Sequence, residues 1–141
     1  MSFQLLYSQP SRSTIFIRLS VSFIFISEGM QKLLLPELRG AGRIRDLNIP
    51  AANFFGSFIG VTEVICGTLI LAGFITRIAV VPLIFIIVSA FAIIKADVFV
   101  NEGFLGFIHD SCIDWAMFCS CLFLLVKGGG KWSLDNLITK R

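Results

Sequence analysis

Charged side chains are scarce in this 141-residue chain: they make up 15% of it, against about 25% in a typical soluble domain. The net charge of +3 is small and the cations are scattered, which argues against a nucleic-acid-binding protein. Apolar residues dominate instead, since 56% of the chain is hydrophobic, 15 residues are Phe, and the mean hydropathy is +0.88. This composition predicts an integral membrane protein, and the length suits one domain, residues 1–141.

The usual ligands for a metal or a tightly held cofactor are also missing. The single histidine, His109, cannot form a bis-histidine haem site, and none of the four cysteines form a C-x-x-C pair. We therefore interpret the cysteines as small packing residues. The glycine-rich tail GGGKWS, from Gly128, lacks the G-x-x-x-x-G-K-[ST] spacing of a phosphate loop. No metal and no intrinsic cofactor are expected.

What the chain has in abundance is long apolar blocks, and a helix needs about 20 such residues to cross a bilayer. The blocks are Ser13–Leu35, Ala51–Ile75, Arg77–Val98 and Cys112–Lys127. They predict an all-α integral membrane four-helix bundle. The first fourteen residues are too polar for the core of a signal peptide, so we expect the first block to be retained.

The connections between the blocks are distinct in character. Residues 36–50, PELRGAGRIRDLNIP, are polar, and we expect one short interfacial helix with three arginines there. The second and third blocks join in a tight turn. A Phe- and Gly-rich loop, FVNEGFLGFIHDS, is expected between the third and fourth blocks.

Four spans place both termini on one side of the membrane, so the cations of the two faces can be compared. The face with the termini carries Arg12, Arg18, Arg77, Lys127, Lys131, Lys140 and Arg141. The other face has fewer cations and most of the acids. The positive-inside rule therefore predicts cytoplasmic termini, with Arg77 and Trp132 as anchors at that interface.

One carboxylate, Glu63, lies near the middle of the second apolar block. A charge at that depth costs roughly 2.5–3.5 kcal/mol even on a lenient insertion scale, so it needs a partner. At about 100° per residue, Gly56, Gly60 and Gly67 lie on the same stripe as Glu63. Stripes of small residues let helices approach closely in lipid. Glu63 is therefore predicted to face the bundle interior.

The first block offers two cationic partners for this acid. Arg18 and Lys32 lie on one stripe, and Glu28 at its edge forms an i,i+4 pair with Lys32 in the favoured order. Either Arg18 or Lys32 is expected to pair with Glu63. Lys95, near the outer end of the third block, either joins this binding and tuning set or snorkels to the interface.

Taken in order, several short motifs resemble the DoxX family of small four-helix membrane proteins. They are Arg18, EGMQK at residues 28–32, LNIP at 47–50, Glu63 with Cys66-Gly67, GFITR at 73–77, and GGGKWSLD at 128–135. Cys66 stands where a second glycine is frequent in the family. The resemblance covers nearly the whole chain and implies a four-helix bundle in a bacterial inner membrane. It also implies a link to membrane redox chemistry, including quinone-coupled sulfur oxidation, whereas wider relatives act as membrane chaperones or cargo receptors.

Three functions are compatible with these observations. In the first, the protein is an accessory subunit of a quinone-linked redox system: Glu63 carries a proton, Arg18, Glu28 and Lys32 tune it, and a partner supplies the electrons. In the second, it is a non-catalytic assembly or chaperone module in which Glu63 is a structural residue. The third, a small-solute or proton carrier, is disfavoured because the chain has no internal repeat. A protein partner or a homo-oligomer is expected.

Overall fold

The computed structural model describes the backbone of residues 13–46 and 50–139, and their side chains except those of residues 43, 94–102, 106, 110 and 139. Its helices are α1 (Thr14–Leu34), α2 (Pro36–Arg39), α3 (Ala41–Asp46), α4 (Ala52–Ala72), α5 (Thr76–Lys127) and α6 (Leu134–Thr139). No strand occurs within these ranges. The prediction of an all-α protein is confirmed.

Helices α1 and α4 correspond to the first two predicted spans, and each is 21 residues long. Helix α4 ends three residues before the predicted limit of Ile75, because Gly73 adopts a left-handed φ of 69°. The amide of Gly73 donates to Ile70 O and the amide of Phe74 to Leu69 O, at 3.0 Å each. This paired arrangement satisfies the last carbonyls of the helix and turns the chain toward α5.

The predicted loop between the third and fourth spans is wrong. Residues 76–127 form one helical run, interrupted at Gly103, whose φ of 73° and ψ of −172° are accessible essentially to glycine alone. A second bend, of 50°, lies between Gly103–His109 and Ser111–Lys127. The Phe, Leu and Ile side chains of this segment continue the apolar helical pattern, so its glycines mark one break in a helix rather than a loop.

The two arms of α5, residues 76–102 and 104–127, run antiparallel. At the ends of the arms far from Gly103, Arg77 Nη2 donates to Val126 O at 2.8 Å, and closer to Gly103 the rings of Phe91 and Trp115 lie 5.3 Å apart. Both arms share one hydrophobic core with α1 and α4: Val21, Phe25, Cys66, Ile70, Ala79, Val80, Leu83, Ile87, Met117, Cys121 and Leu124. Four helical segments therefore meet in a single bundle.

Two helices of the described part are long and apolar enough to cross a membrane: Ala52–Ala72 and Thr76–Ile93, with mean hydropathies of 1.9 and 2.3. The bent pair Gly103–His109 and Ser111–Lys127 makes a third if it counts as one span. Helix α1 is as long as α4 but carries three ionisable side chains, and its crossing stays a prediction. Large apolar side chains such as Phe23 and Phe85 are 77% and 68% exposed, which suits contact with lipid.

The connection between α1 and α4 holds two short helices, α2 and α3, rather than the one helix predicted. Gly40, with φ −108° and ψ −112°, separates them. Helix α3 lies against the start of α4, where a Cβ on Gly56 would come within 2.6 Å of Ala41 N. The predicted motif residues 47–49, the cations Arg12, Lys140 and Arg141, and the side chain of Lys95 are outside the described part of the chain.

Candidate functional site

The site forms where α1 and α4 approach most closely, and glycines set that distance. A Cβ on Gly29 of α1 would lie 2.7 Å from Gly60 O and 3.0 Å from Glu63 Cβ. One turn further, a Cβ on Gly67 would lie 2.8 Å from Ile26 Cγ1. The backbones can meet only because these side chains are absent. All three members of the predicted stripe, Gly56, Gly60 and Gly67, are buried.

Glu63 lies in this seam, and its partner is Lys32. The ammonium nitrogen Nζ of Lys32 donates to both carboxylate oxygens of Glu63, at 2.6 Å each. Glu63 is 2% exposed as a residue, so its charge depends on this contact. The sequence left Arg18 and Lys32 as equal candidates, and the structure selects Lys32.

Lys32 also connects the buried acid to the surface. Its Nζ lies 3.8 Å from Glu28 Oε2, one helical turn earlier. The exposed fraction of the side chain rises from 3% for Glu63 to 20% for Lys32 and 45% for Glu28. Because Lys32 sits in the last turn of α1, its positive charge is also favoured by the helix dipole. The three groups form a row, which we call the Glu28–Lys32–Glu63 row, from solvent into the seam.

Arg18 is not part of this row, contrary to the tuning role expected for it. Its side chain, 3% exposed as a residue, points to the opposite end of α1. Its guanidinium donates to four backbone carbonyls: Ile70 O at 3.0 Å, Leu71 O at 2.6 Å, Gly129 O at 2.9 Å and Trp132 O at 2.8 Å. The last carbonyls of a helix have no intrahelical donor, and the planar five-donor guanidinium suits them. Arg18 thus joins the end of α4 to the C-terminal segment.

The C-terminal segment, residues 128–139, closes this end of the bundle, and we call it the C-terminal strap. The carboxylate of Asp135 accepts from Ile75 N at 2.7 Å and from Thr76 N at 3.1 Å, so it caps the start of α5. The Asp135 amide in turn donates to Gly73 O at 3.0 Å. Ser133 Oγ accepts from Asn136 N at 3.2 Å and so caps the start of α6.

Sequence reasoning missed Asp135. The residue was visible at the end of the GGGKWSLD motif, but its partners lie 59 and 60 residues earlier in the chain. The other two predicted structural residues lie at the same end. Arg77 binds Val126 O across the two arms of α5, and the side chain of Trp132 is exposed while its carbonyl accepts from Arg18.

An open apolar groove of about 450 Å³ lies on the outer surface of α1 and α4, lined by Leu19, Ser20, Phe23, Ile26 and Leu71. One of its lining residues, Leu71, accepts through its carbonyl from Arg18 Nη2 at 2.6 Å. No group of three or more His, Cys, Asp or Glu side chains that could hold a metal occurs among the described residues.

These features define a class: an α-helical membrane protein with a buried ion pair in a glycine-lined helix seam. The DoxX family model matches residues 13–96, and the chain belongs to the DoxX family. It is 42% identical over 144 residues to the uncharacterized membrane protein Rv3486 of Mycobacterium tuberculosis, and the match covers 98% of this chain and 88% of the relative. No solved structure matches. The resemblance seen in the sequence motifs is therefore confirmed.

Proposed function

We propose that this protein is an accessory subunit of a quinone-linked redox system in a bacterial inner membrane, in which Glu63 takes up and releases a proton. The observation that carries the proposal is the Glu28–Lys32–Glu63 row. A buried ion pair is seldom worth more than a well-packed apolar pair of similar size, so stability alone is a weak reason to keep it. Ionisable groups within a membrane protein are functional candidates by default.

Quinone reduction consumes protons together with electrons, and the row offers a source of the protons. Glu63 lies inside the seam and is linked by Lys32 to a half-exposed carboxylate. The sequence has no flavin, haem or iron–sulfur motif, so the electrons come from a protein partner or a diffusible cofactor. In this proposal the residues of this chain bind, orient and protonate the quinone, and they do not store the electrons.

A second candidate, a non-catalytic assembly module, is favoured by one specific observation. Arg18 and Asp135 connect three distant segments through backbone groups, which is a stabilising role with no chemistry in it. If the protein is an assembly module, the Lys32–Glu63 pair likewise holds α1 against α4. The two candidates make different demands on the charge of Glu63, and that difference can be measured.

The orientation we propose places the C-terminal strap in the cytoplasm. Arg18, Arg77, Lys127 and Lys131 belong to the strap end of the bundle, which fits the positive-inside rule. The Glu28–Lys32–Glu63 row then opens toward the opposite face, beside α2 and α3.

The test is Glu63→Gln, which keeps the volume of the side chain and removes its charge. The protein is purified from its host membrane with its associated proteins, bound quinone is extracted and quantified, and quinone reduction is measured in membrane vesicles. We expect the variant to reach wild-type abundance and to lose most of the quinone-linked turnover that depends on this protein. A general acid or base typically contributes about 10²–10⁴-fold, so the loss should be large.

Glu37→Gln is the matched control, because Glu37 is an exposed carboxylate, 71% accessible, on α2. It should behave as wild type. Wild-type protein without bound quinone, combined with misassembly of Glu63→Gln, would instead establish the assembly module. Normal turnover in a well-folded Glu63→Gln protein contradicts the redox proposal directly.

A further inference from the structure

The Glu28–Lys32–Glu63 row reaches only one end of the bundle. Lys32 is two residues from the end of α1 at Leu34, and α2 and α3 follow directly. Because α1 and α4 are about 30 Å long, this end is a full helix length from the C-terminal strap. In the described part of the chain, Glu63 forms an ion pair with Lys32, and Lys32 forms one with Glu28; both of these partners are on α1.

Toward the strap end, apolar packing closes the seam beyond Glu63. Val21 and Ile70 are fully buried, and Phe25 and Cys66 are 5% and 7% exposed. The contact of Gly67 with Ile26 leaves no space between the two backbones at this level. The next cation along α1 is Arg18, whose donors are engaged by four carbonyls. Ser22 Oγ is a buried hydroxyl in this layer, and it makes no hydrogen bond within the described residues, so it does not join Glu63 to the Arg18 contacts.

From this asymmetry we infer that Glu63 exchanges its proton only with the membrane face that carries α2 and α3, through Lys32 and Glu28. The inference rests on the proposed function of Glu63 as a proton-exchanging group. It adds a direction to that function: the proton is drawn from the face opposite the C-terminal strap.

The transfer is balanced and moves no electrons. The Lys32 ammonium gives one proton to the Glu63 carboxylate along an N–H···O contact of 2.6 Å, leaving a neutral amine and a carboxylic acid. Glu28 accepts a proton from a hydronium ion, which becomes water, and passes it to that amine, so Glu28 is again a carboxylate and Lys32 again an ammonium. The present 3.8 Å between Lys32 Nζ and Glu28 Oε2 is closed by rotation of the half-exposed Glu28 side chain or by one water. The net result is one proton moved from hydronium to Glu63.

The first experiment measures which face sets the protonation of Glu63. Full-length protein is reconstituted in lipid vesicles, and vesicles with outward strap ends are selected through a C-terminal affinity tag. Dicyclohexylcarbodiimide, which reacts with protonated carboxyls in apolar surroundings, is added, and mass spectrometry follows the adduct on the Glu63 peptide. Raising the pH inside the vesicles, at the α2–α3 face, should slow adduct formation several-fold, and raising the outer pH should leave it unchanged.

The second experiment tests the route. Time-resolved infrared spectroscopy follows protonation of Glu63 after a proton is released from a caged compound inside the vesicles, with Glu63→Gln identifying the band. Glu28→Gln should slow this signal several-fold, whereas Glu37→Gln, a carboxylate at the same face with Arg45 as its partner, should not. Adduct formation that follows the pH of the strap face, the absence of any Glu63 adduct, or wild-type kinetics in Glu28→Gln would each overturn the inference.

These measurements use no quinone. If protonation of Glu63 follows the pH of both faces while turnover still depends on Glu63, the proposed route is wrong and the proposed function stands. One-sided protonation with normal turnover in Glu63→Gln contradicts the proposed function alone.

Discussion

Glu63 is tolerated in an apolar helix seam because one cation contacts both of its oxygens. The Lys32 Nζ atom lies 2.6 Å from each, and neither group is well exposed. An acid that loses such a partner keeps the cost of burial without the compensating attraction. Removing one partner of the pair should therefore lower the free energy of unfolding much more than removing both.

Lys32→Met should destabilise the protein by about 3–5 kcal/mol, because it leaves the Glu63 carboxylate buried and unpaired. The double variant Lys32→Met/Glu63→Gln should recover most of that loss, since no charge then remains. Unfolding by denaturing detergent, followed by circular dichroism, measures both in a double-mutant cycle. Lys131→Met, at an exposed lysine, is the control. Equal losses in the single and double variants would contradict the pairing.

The glycines of the seam differ in what an added methyl group would meet. On Gly29 the Cβ would lie 2.7 Å from a backbone oxygen, Gly60 O, which cannot move alone. On Gly60 it would lie 3.1 Å from the side chain of Leu33, which can move, and 3.2 Å from the backbone oxygen of Gly29, which is a longer contact than 2.7 Å. Gly29→Ala should therefore cost about 1–3 kcal/mol, and Gly60→Ala clearly less. The same unfolding assay ranks the two, and the reverse order would exclude this packing.

For single residues, the sequence predicted the direction in which Glu63 faces but not which cation pairs with it. The glycine stripe and the acid independently selected the same face of α4, so the inward direction of Glu63 was predictable. Arg18 and Lys32 lie on one stripe of α1, and the choice between them depends on how far α1 is shifted along α4. A helical stripe carries no information on that shift.

The C-terminal strap is the element whose role was least visible in the sequence. Arg18 spans 111 residues to Gly129 and 114 to Trp132, and Asp135 spans 60 to Ile75. The motifs that contain these residues were each recognisable in the sequence, but the contacts between them are visible only in the folded structure. The α5 hairpin shows the opposite difficulty: its apolar pattern was clear, and the glycines within it were given too much weight as signals of a loop.

Arg18→Met should release the strap, because four carbonyls lose their hydrogen-bond donor. Each carbonyl that stays buried without a donor costs about 1–3 kcal/mol of folding free energy. We expect a total loss of several kcal/mol and rapid proteolysis within residues 128–139 of the detergent-solubilised protein. Arg45→Gln is the control, since Arg45 pairs with Glu37 at the surface and such pairs contribute about 0–1 kcal/mol. A protease-resistant strap in Arg18→Met would contradict its role.

For the whole molecule, the decisive question is whether α1 crosses the bilayer. Its 21 residues match those of α4, and its charged groups are paired or engaged within the bundle rather than presented to lipid. Composition alone ranked α1 lower than α4, because hydropathy cannot register that Arg18 and Lys32 have partners. The crossing of α1, and with it the predicted set of four spans, stays a prediction.

If α1 crosses, the residue that precedes it and α2 must lie on opposite faces. Single cysteines replacing Ser13 and Glu37, which are exposed, are introduced into a chain without its four native cysteines. A membrane-impermeant maleimide should label residue 13 only from the cytoplasmic face and residue 37 only from the outer face of sealed vesicles. Labelling of both residues from the same face would show that α1 does not cross.

The Arg18 contacts also have a consequence for the order of synthesis. Trp132, which supplies one of the four carbonyls, is translated 114 residues after Arg18. If α1 crosses the bilayer, its arginine enters the membrane region while part of its binding site does not yet exist. Until the C-terminal strap has been translated, Gly129 O and Trp132 O cannot accept from the guanidinium, and Arg18 has only the two carbonyls of α4. Translation of the strap is thus the step that completes the hydrogen bonding of the first helix.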